Sequence, residues 1–151
     1  MKHTLLIIDD NDAILQVLKK LFEKKYQVFT ASDGVEAITI LARGIMPHLI
    51  ISDLNMHNIN GYELIGHLST SKMYNKIPVI ILSGSYQLDP TFLKDQLVVA
   101  QVLNKPFDPI LLLNIVEEII FKNEYYPNSE KGRYKILRKM TKYLQTLNFF
   151  I

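Results

Sequence analysis

Apolar residues fall in short bursts over the first 121 positions, and each burst stops at polar or turn-forming residues. Leu5, Leu6, Ile7 and Ile8 run straight into Asp9 and Asp10. A short aliphatic run of this kind predicts a buried strand, β1 at residues 5–8. Asp12 then precedes Ala13, Ile14, Val17, Leu18, Leu21 and Phe22, a helical spacing behind an acid that suits the cap, so α1 is expected over 12–24. Residues 26–30 alternate and are rich in aromatic and β-branched side chains, predicting β2. Asp33 and Gly34 open α2, in which Val35, Ala37, Ile38 and Leu41 are apolar and which Gly44 closes. Residues 48–53 form the next apolar burst, β3, ending at Asp53. The turn signal Asn60-Gly61 precedes Leu64, Ile65 and Leu68 of α3. Residues 77–82 predict β4, stopping at Ser83 and Gly84. Asp89-Pro90 is a helix start for a short α4 to Leu97. Residues 100–104 predict β5, followed by Lys105-Pro106-Phe107, and Asp108-Pro109 caps α5 with Leu112, Ile115, Val116 and Ile119 on one face.

Five strand–helix alternations imply an α/β domain with a parallel sheet covered by helices on both faces. The strands are nearly continuous apolar runs, as strands buried on both sides must be. The pattern then changes. Tyr125, Tyr126, Pro127, Asn128 and Ser129 break it, and from Lys131 a new helical spacing begins: Ile136, Leu137, Met140, Tyr143, Leu144 and Leu147, with Lys135, Arg138, Lys139 and Lys142 opposite. This predicts one amphipathic basic helix of about five turns. The expected organisation is therefore a domain over 1–123 and an extension over 124–151.

Charge sharpens that division. Residues 1–121 carry 10 Lys+Arg and 13 Asp+Glu, a net −3; residues 122–151 carry 7 and 2, a net +5. The whole basic excess lies in the extension, where packing on its own domain, a dimer or partner contact, and an anionic surface are the competing uses. With no cysteine in the chain, disulfide and thiolate chemistry are excluded. A cytoplasmic location is expected, and no stretch approaches a membrane span.

The carboxyl ends of the strands carry the candidate chemistry, because open parallel sheets bind ligands at that edge. There β1 delivers Asp9 and Asp10, β3 delivers Asp53, β4 delivers Ser83 and β5 delivers Lys105. Carboxylates brought together repel one another unless a cation or a shared proton offsets them. Oxygen donors favour a hard ion, and Mg²⁺ is the natural occupant. A carboxylate beside a dication, an ammonium and a hydroxyl suits the acceptance of a phosphoryl group, with Asp53 as nucleophile.

Four segments together resemble the receiver domain of two-component response regulators, of the single-domain, chemotaxis-regulator kind. They are Leu6-Ile7-Ile8-Asp9-Asp10, Ile51-Ser52-Asp53-Leu54-Asn55-Met56 with Gly61 after it, Ile80-Ile81-Leu82-Ser83-Gly84, and Asn104-Lys105-Pro106-Phe107. The resemblance covers about residues 3–121. It implies a flavodoxin-like, doubly wound five-stranded sheet with five helices, to which the C-terminal amphipathic helix is added. It also implies that Asp53 accepts a phosphoryl group from a histidine kinase or phosphotransfer protein. Asp10, Asp53 and the backbone carbonyl of Asn55 would bind Mg²⁺ directly, and Asp9 mainly through water. Lys105 would contact a phosphoryl oxygen, Lys105–Pro106 would be cis, and Ser83 would turn toward the phosphoryl group and signal to the α4–β5–α5 face.

Three positions depart from the family pattern. His57 stands where proline usually follows the methionine of the acceptor loop. Val102 replaces the aromatic residue that usually rotates inward on activation. The glycine common at the start of β5 is replaced near Val98 and Val99. The resulting expectation is a regulator rather than an enzyme, with output through a downstream protein target. Homodimerisation through the α4–β5–α5 face or the C-terminal helix is part of that expectation, and direct nucleic-acid contact is not, since thirty residues are too few for a DNA-binding module. Two alternatives stand beside it: a degenerate receiver acting as a constitutive scaffold, and an aspartyl-phosphate phosphohydrolase. The second lacks its usual acid two residues after the nucleophile, where this chain has Asn55. His3, His48, His57 and His67 have no helical metal-ligand spacing and are read as surface or packing residues.

Overall fold

The computed structural model describes residues 1–84 and 90–125. Five strands and five helices alternate: β1 Thr4–Ile8, α1 Asp12–Phe22, β2 Gln27–Ala31, α2 Gly34–Ala42, β3 Leu49–Asp53, α3 Gly61–Thr70, β4 Val79–Ser83, α4 Pro90–Asp95, β5 Val99–Asn104 and α5 Pro109–Tyr125. The sheet has the order β2-β1-β3-β4-β5 and every pairing is parallel. This is the doubly wound, flavodoxin-like arrangement that the alternation predicts. The C-terminal amphipathic helix predicted from residue 131 lies outside the described residues.

Strand side chains alternate between the two faces and build two cores. Leu6, Ile8, Ile50, Val79, Ile81 and Val102 pack with Leu41, Leu64, Leu68 and Leu93 on the side of α2, α3 and α4. Leu5, Ile7, Leu49, Ile51, Ile80 and Leu82 pack with Leu18, Phe22, Leu112 and Val116 on the side of α1 and α5. Most of these side chains are fully buried.

Several boundaries differ from the sequence expectation for local reasons. Asn11, not Asp12, caps α1: its side-chain oxygen accepts from the backbone N–H groups of Ala13 and Ile14. Asp12 is instead the first helical residue, where its charge complements the helix N-terminus. That helix stops at Phe22, two residues early, and α4 stops at Asp95 rather than Leu97. Strand β5 starts one residue sooner, at Val99, and its register against β4 slips between Val79 and Ile80. Asp33 caps α2 as expected, and Asn60 and Glu63 form a reciprocal capping box on α3.

The order of the strands positions the site. Sequential connections leave β1 in opposite directions, so its carboxyl end and that of β3 border the crevice at the switch point. The register sets Ile8 beside Ser52, and Asp53 beside Leu82, so the acids that follow β1 lie against the end of β3.

Helix α3 is pressed hard against that end. A Cβ at Gly61 would overlap the backbone carbonyl oxygen of Asp53 and would sit 2.6 Å from the Leu54 Cα. At Gly66, in the same helix, a Cβ meets nothing within 4 Å. Opposite outcomes are therefore expected for two like substitutions. Gly61→Ala should destabilise by about 1–3 kcal/mol, as overpacking against backbone does. Gly66→Ala should stabilise by about 0.5–1 kcal/mol through helix propensity. Urea midpoints at unchanged slope measure both.

Candidate phosphoryl-acceptor site

The sequence-predicted residues Asp9, Asp10, Asp53 and Lys105 meet at the carboxyl edge. One carboxylate oxygen from each of Asp9, Asp10 and Asp53 can be chosen so that all lie within 4.8 Å of one another. Asp9 and Asp53 are buried, whereas Asp10 faces solvent. The Lys105 ammonium reaches in from the end of β5, 2.6 Å from Asp9 Oδ2 and 3.5 Å from Asp53 Oδ2. Lys105 thus sits closer to Asp9 than to Asp53, which the sequence does not reveal. The Lys105–Pro106 bond is cis, as the family motif implies.

Each group is also tied to its own backbone. Asp53 Oδ1 accepts from the Leu54 N–H at 2.8 Å, and Asp9 Oδ1 from the Asn11 N–H at 2.9 Å. Ser52 is buried and its hydroxyl donates to the Asp53 carbonyl. Ser83 is fully buried at the end of β4, with its carbonyl accepting from the Lys105 N–H at 2.7 Å, so β4 and β5 end in register beside Asp53. Leu54 is a core residue, as expected. Asn55 is exposed and lines a cavity of about 440 Å³ together with Asp10, Met56, His57, Asn60 and Tyr62.

Burial pushes the Asp53 carboxyl above its ordinary range; Lys105 opposes the shift, Asp9 adds to it, and the Asn55 and Leu54 N–H groups oppose it. A second negative charge brought close is thus costly here, and a hard dication fits the donor set: three carboxylates, no thiolate and an open mouth.

His57, read from the sequence as a surface or packing residue, meets one of the three acids. Its Nδ1 lies 2.9 Å from Asp10 Oδ2. The signal was its place in the acceptor loop, where the family pattern has proline. Val102 is buried in the core on the α2–α3–α4 side, packed in the same cluster as Ile81, Leu93 and Val98, and presents no aromatic ring that could rotate.

The raised Asp53 carboxyl has a consequence for stability. An acid whose folded pKa exceeds its unfolded value favours the fold while protonated and opposes it once ionised. Asp53→Asn, which keeps an acceptor for the Leu54 N–H, should therefore raise the melting temperature at neutral pH in chelator-containing buffer. The gain should shrink as pH falls through the raised folded value and be absent below the ordinary carboxyl value of 3.8. Thermal melts of both proteins across that range check it.

Comparison with known proteins agrees with this geometry. Residues 5–117 match the family model described as "Response regulator receiver domain". The chain is 34% identical over 125 residues to the "Probable transcriptional regulator ycf29" of Pyropia yezoensis, covering 82% of this chain and 55% of that one. It is 30% identical over 127 residues to the response regulator SaeR of Staphylococcus aureus (strain USA300), covering 83% and 54%. This chain therefore spans about half the length of these relatives. Among solved structures, the chemotaxis response regulator CheY4 of Vibrio cholerae superposes with a TM-score of 0.68 at 28% identity, over 79% of this chain and 99% of that one. The chain belongs to the response regulator receiver domain family, the regulatory receiver of two-component signalling.

Proposed function

We propose that this chain is a phosphorylation switch in which Asp53 takes a phosphoryl group from the phosphohistidine of a sensor histidine kinase or phosphotransfer protein. The observation that carries the reading is the position of the Asp53 carboxylate: buried at the end of β3, within reach of Asp9 and Asp10, with the Lys105 ammonium 3.5 Å away. An Asp53 carboxylate oxygen attacks phosphorus, a P–O bond forms, and the P–N bond to the donor's imidazole breaks, leaving the electron pair on that nitrogen. Lys105 offsets charge on a phosphoryl oxygen. Asp9, Asp10, Asp53 and the Asn55 carbonyl would hold Mg²⁺, which supplies charge neutralisation at the transferring group when bound. Asn55 lies two residues beyond the nucleophile where a phosphohydrolase carries its acid, which supports a stored aspartyl phosphate over rapid turnover.

The readout runs through Ser83. It stands on the strand next to the acceptor and immediately precedes the connection toward α4, so a hydroxyl drawn to the phosphoryl group would bias the α4–β5–α5 face. With Val102 buried as a core residue, that bias is set without an aromatic rotation. Residues 124–151 serve as an extension that takes part in protein contacts, with a downstream protein or with a second copy of the chain. No helix among the described residues is long and apolar enough to cross a membrane.

Exposure to acetyl phosphate followed by mass spectrometry tests the acceptor. A single phosphoryl adduct is expected with magnesium and little without it, and Asp53→Asn should abolish it; full labelling of that variant, or no adduct on the parent, overturns the assignment. Removal of residues 125–151 should leave labelling intact and change partner binding or oligomeric state, as read by light scattering and pull-down with the cognate kinase. Unchanged behaviour in both excludes the extension from the output.

A further inference from the structure

The three acids at the carboxyl edge are not equally restrained. Asp9 is buried and takes Lys105 at 2.6 Å and the Asn11 N–H at 2.9 Å. Asp53 is buried and takes the Leu54 N–H at 2.8 Å, with Lys105 at 3.5 Å. Asp10 is exposed, and its side chain is met by a residue 47 positions away, His57, whose Nδ1 lies 2.9 Å from Oδ2. A carboxylate offers only lone pairs, so the ring nitrogen bears the hydrogen and donates. The His57 side chain is 90% exposed, so burial does not dictate where the ring sits. Both residues line the mouth of the 440 Å³ cavity beside Asn55.

We propose that His57 is a positioning residue for the dication centre: it holds the exposed Asp10 carboxylate through one oxygen and leaves the other to the ion. The inference rests on the reading of Asp9, Asp10 and Asp53 as that centre. The Asp10 side chain keeps 28% of its surface open, so its carboxylate retains rotamer freedom that binding an ion must freeze. A hydrogen bond from outside the ligand set fixes the ligand beforehand, which is how groups around a metal raise its affinity. Proline, the family's usual residue here, has no side-chain donor and cannot do this. The device is therefore specific to a chain with histidine at 57, and it binds the loop after β3 to the acid after β1.

Calorimetric titration of the full chain with MgCl₂ at one fixed pH tests it, using the parent, His57→Ala, His57→Asn and Asp10→Asn. Asparagine can place an amide nitrogen near the position of Nδ1, so it keeps the donor. His57→Ala should weaken Mg²⁺ binding by about three- to tenfold, the low end for a group outside the ligand set because this one is exposed. His57→Asn should recover most of that loss, and His57→Ala should add little to Asp10→Asn in the double variant. Thermal melts should be nearly unchanged by either substitution at 57. Binding by His57→Ala as tight as the parent or tighter overturns the inference, the tighter case marking His57 as a competitor of the ion. Failure of His57→Asn to recover binding also overturns it. If the parent does not bind Mg²⁺, or Asp10→Asn binds it as the parent does, the dication centre itself is refuted, and the inference with it.

Discussion

The constraint on which the structure turns is one ammonium among three carboxylates. The strand order brings β1 beside β3, and the chain beyond each ends in acid, so negative charge accumulates where the sheet offers little solvent. Among the described residues Lys105 answers it from within the edge, and it does so unequally, lying nearer Asp9 than Asp53. That inequality suits the proposed acceptor role. A lysine locked onto Asp53 would blunt its nucleophilicity; a lysine anchored on Asp9 remains next to Asp53 and could meet an incoming anion. The three acids carry two negative charges beyond what Lys105 offsets, and a bound dication would balance them.

The fold was legible in the sequence to the extent that burial dictated it. Strands covered on both faces must be nearly uninterrupted apolar runs, and Leu5 to Ile8 or Val79 to Leu82 can hardly be anything else. The acids and the lysine were legible because they follow such runs at one sheet edge. Local competition was not legible. Asn11 and Asp12 are both good caps, and only the geometry of the chain leaving β1 decides that Asn11 turns its oxygen to Ala13 and Ile14. The early start of β5 at Val99 depends on a register slip against β4, a tertiary event with no local mark. The Asp10–His57 contact joins residues from two different strand–helix connections, and an exposed histidine in a loop carries no periodicity by which to find it.

Val102 shows how a departure from a family pattern becomes a physical statement. An aromatic side chain at this position can exchange between a solvent-facing and an inward rotamer. A buried valine has one stiff side chain with neighbours on every side, and its χ1 freedom is small. Residue 102 therefore offers no ring to rotate.

The loop after Asp53 explains why the edge can hold its geometry at all. It leaves a strand and must enter α3 within a few residues, and every turn of it is fixed by a specific contact. Asn58 adopts a left-handed backbone with φ of 59° and donates to Asp33 at 2.7 Å. The Gly34 N–H reaches the Ile59 carbonyl at 3.2 Å, the Gly61 N–H reaches the Leu54 carbonyl at 2.9 Å, and the Asn60–Glu63 box closes the helix start. Glycines at 34 and 61 permit this approach because any side chain there would collide with the loop's own backbone. The loop is thus held from α2 on one side and α3 on the other, and Asp53 at its root inherits that rigidity. Under the proposed acceptor role, a carboxylate that has to meet phosphorus in line gains most when its scaffold has already lost its freedom. In this chain that freedom is removed by contacts between α2, α3 and the loop, none of which touches the reacting atoms.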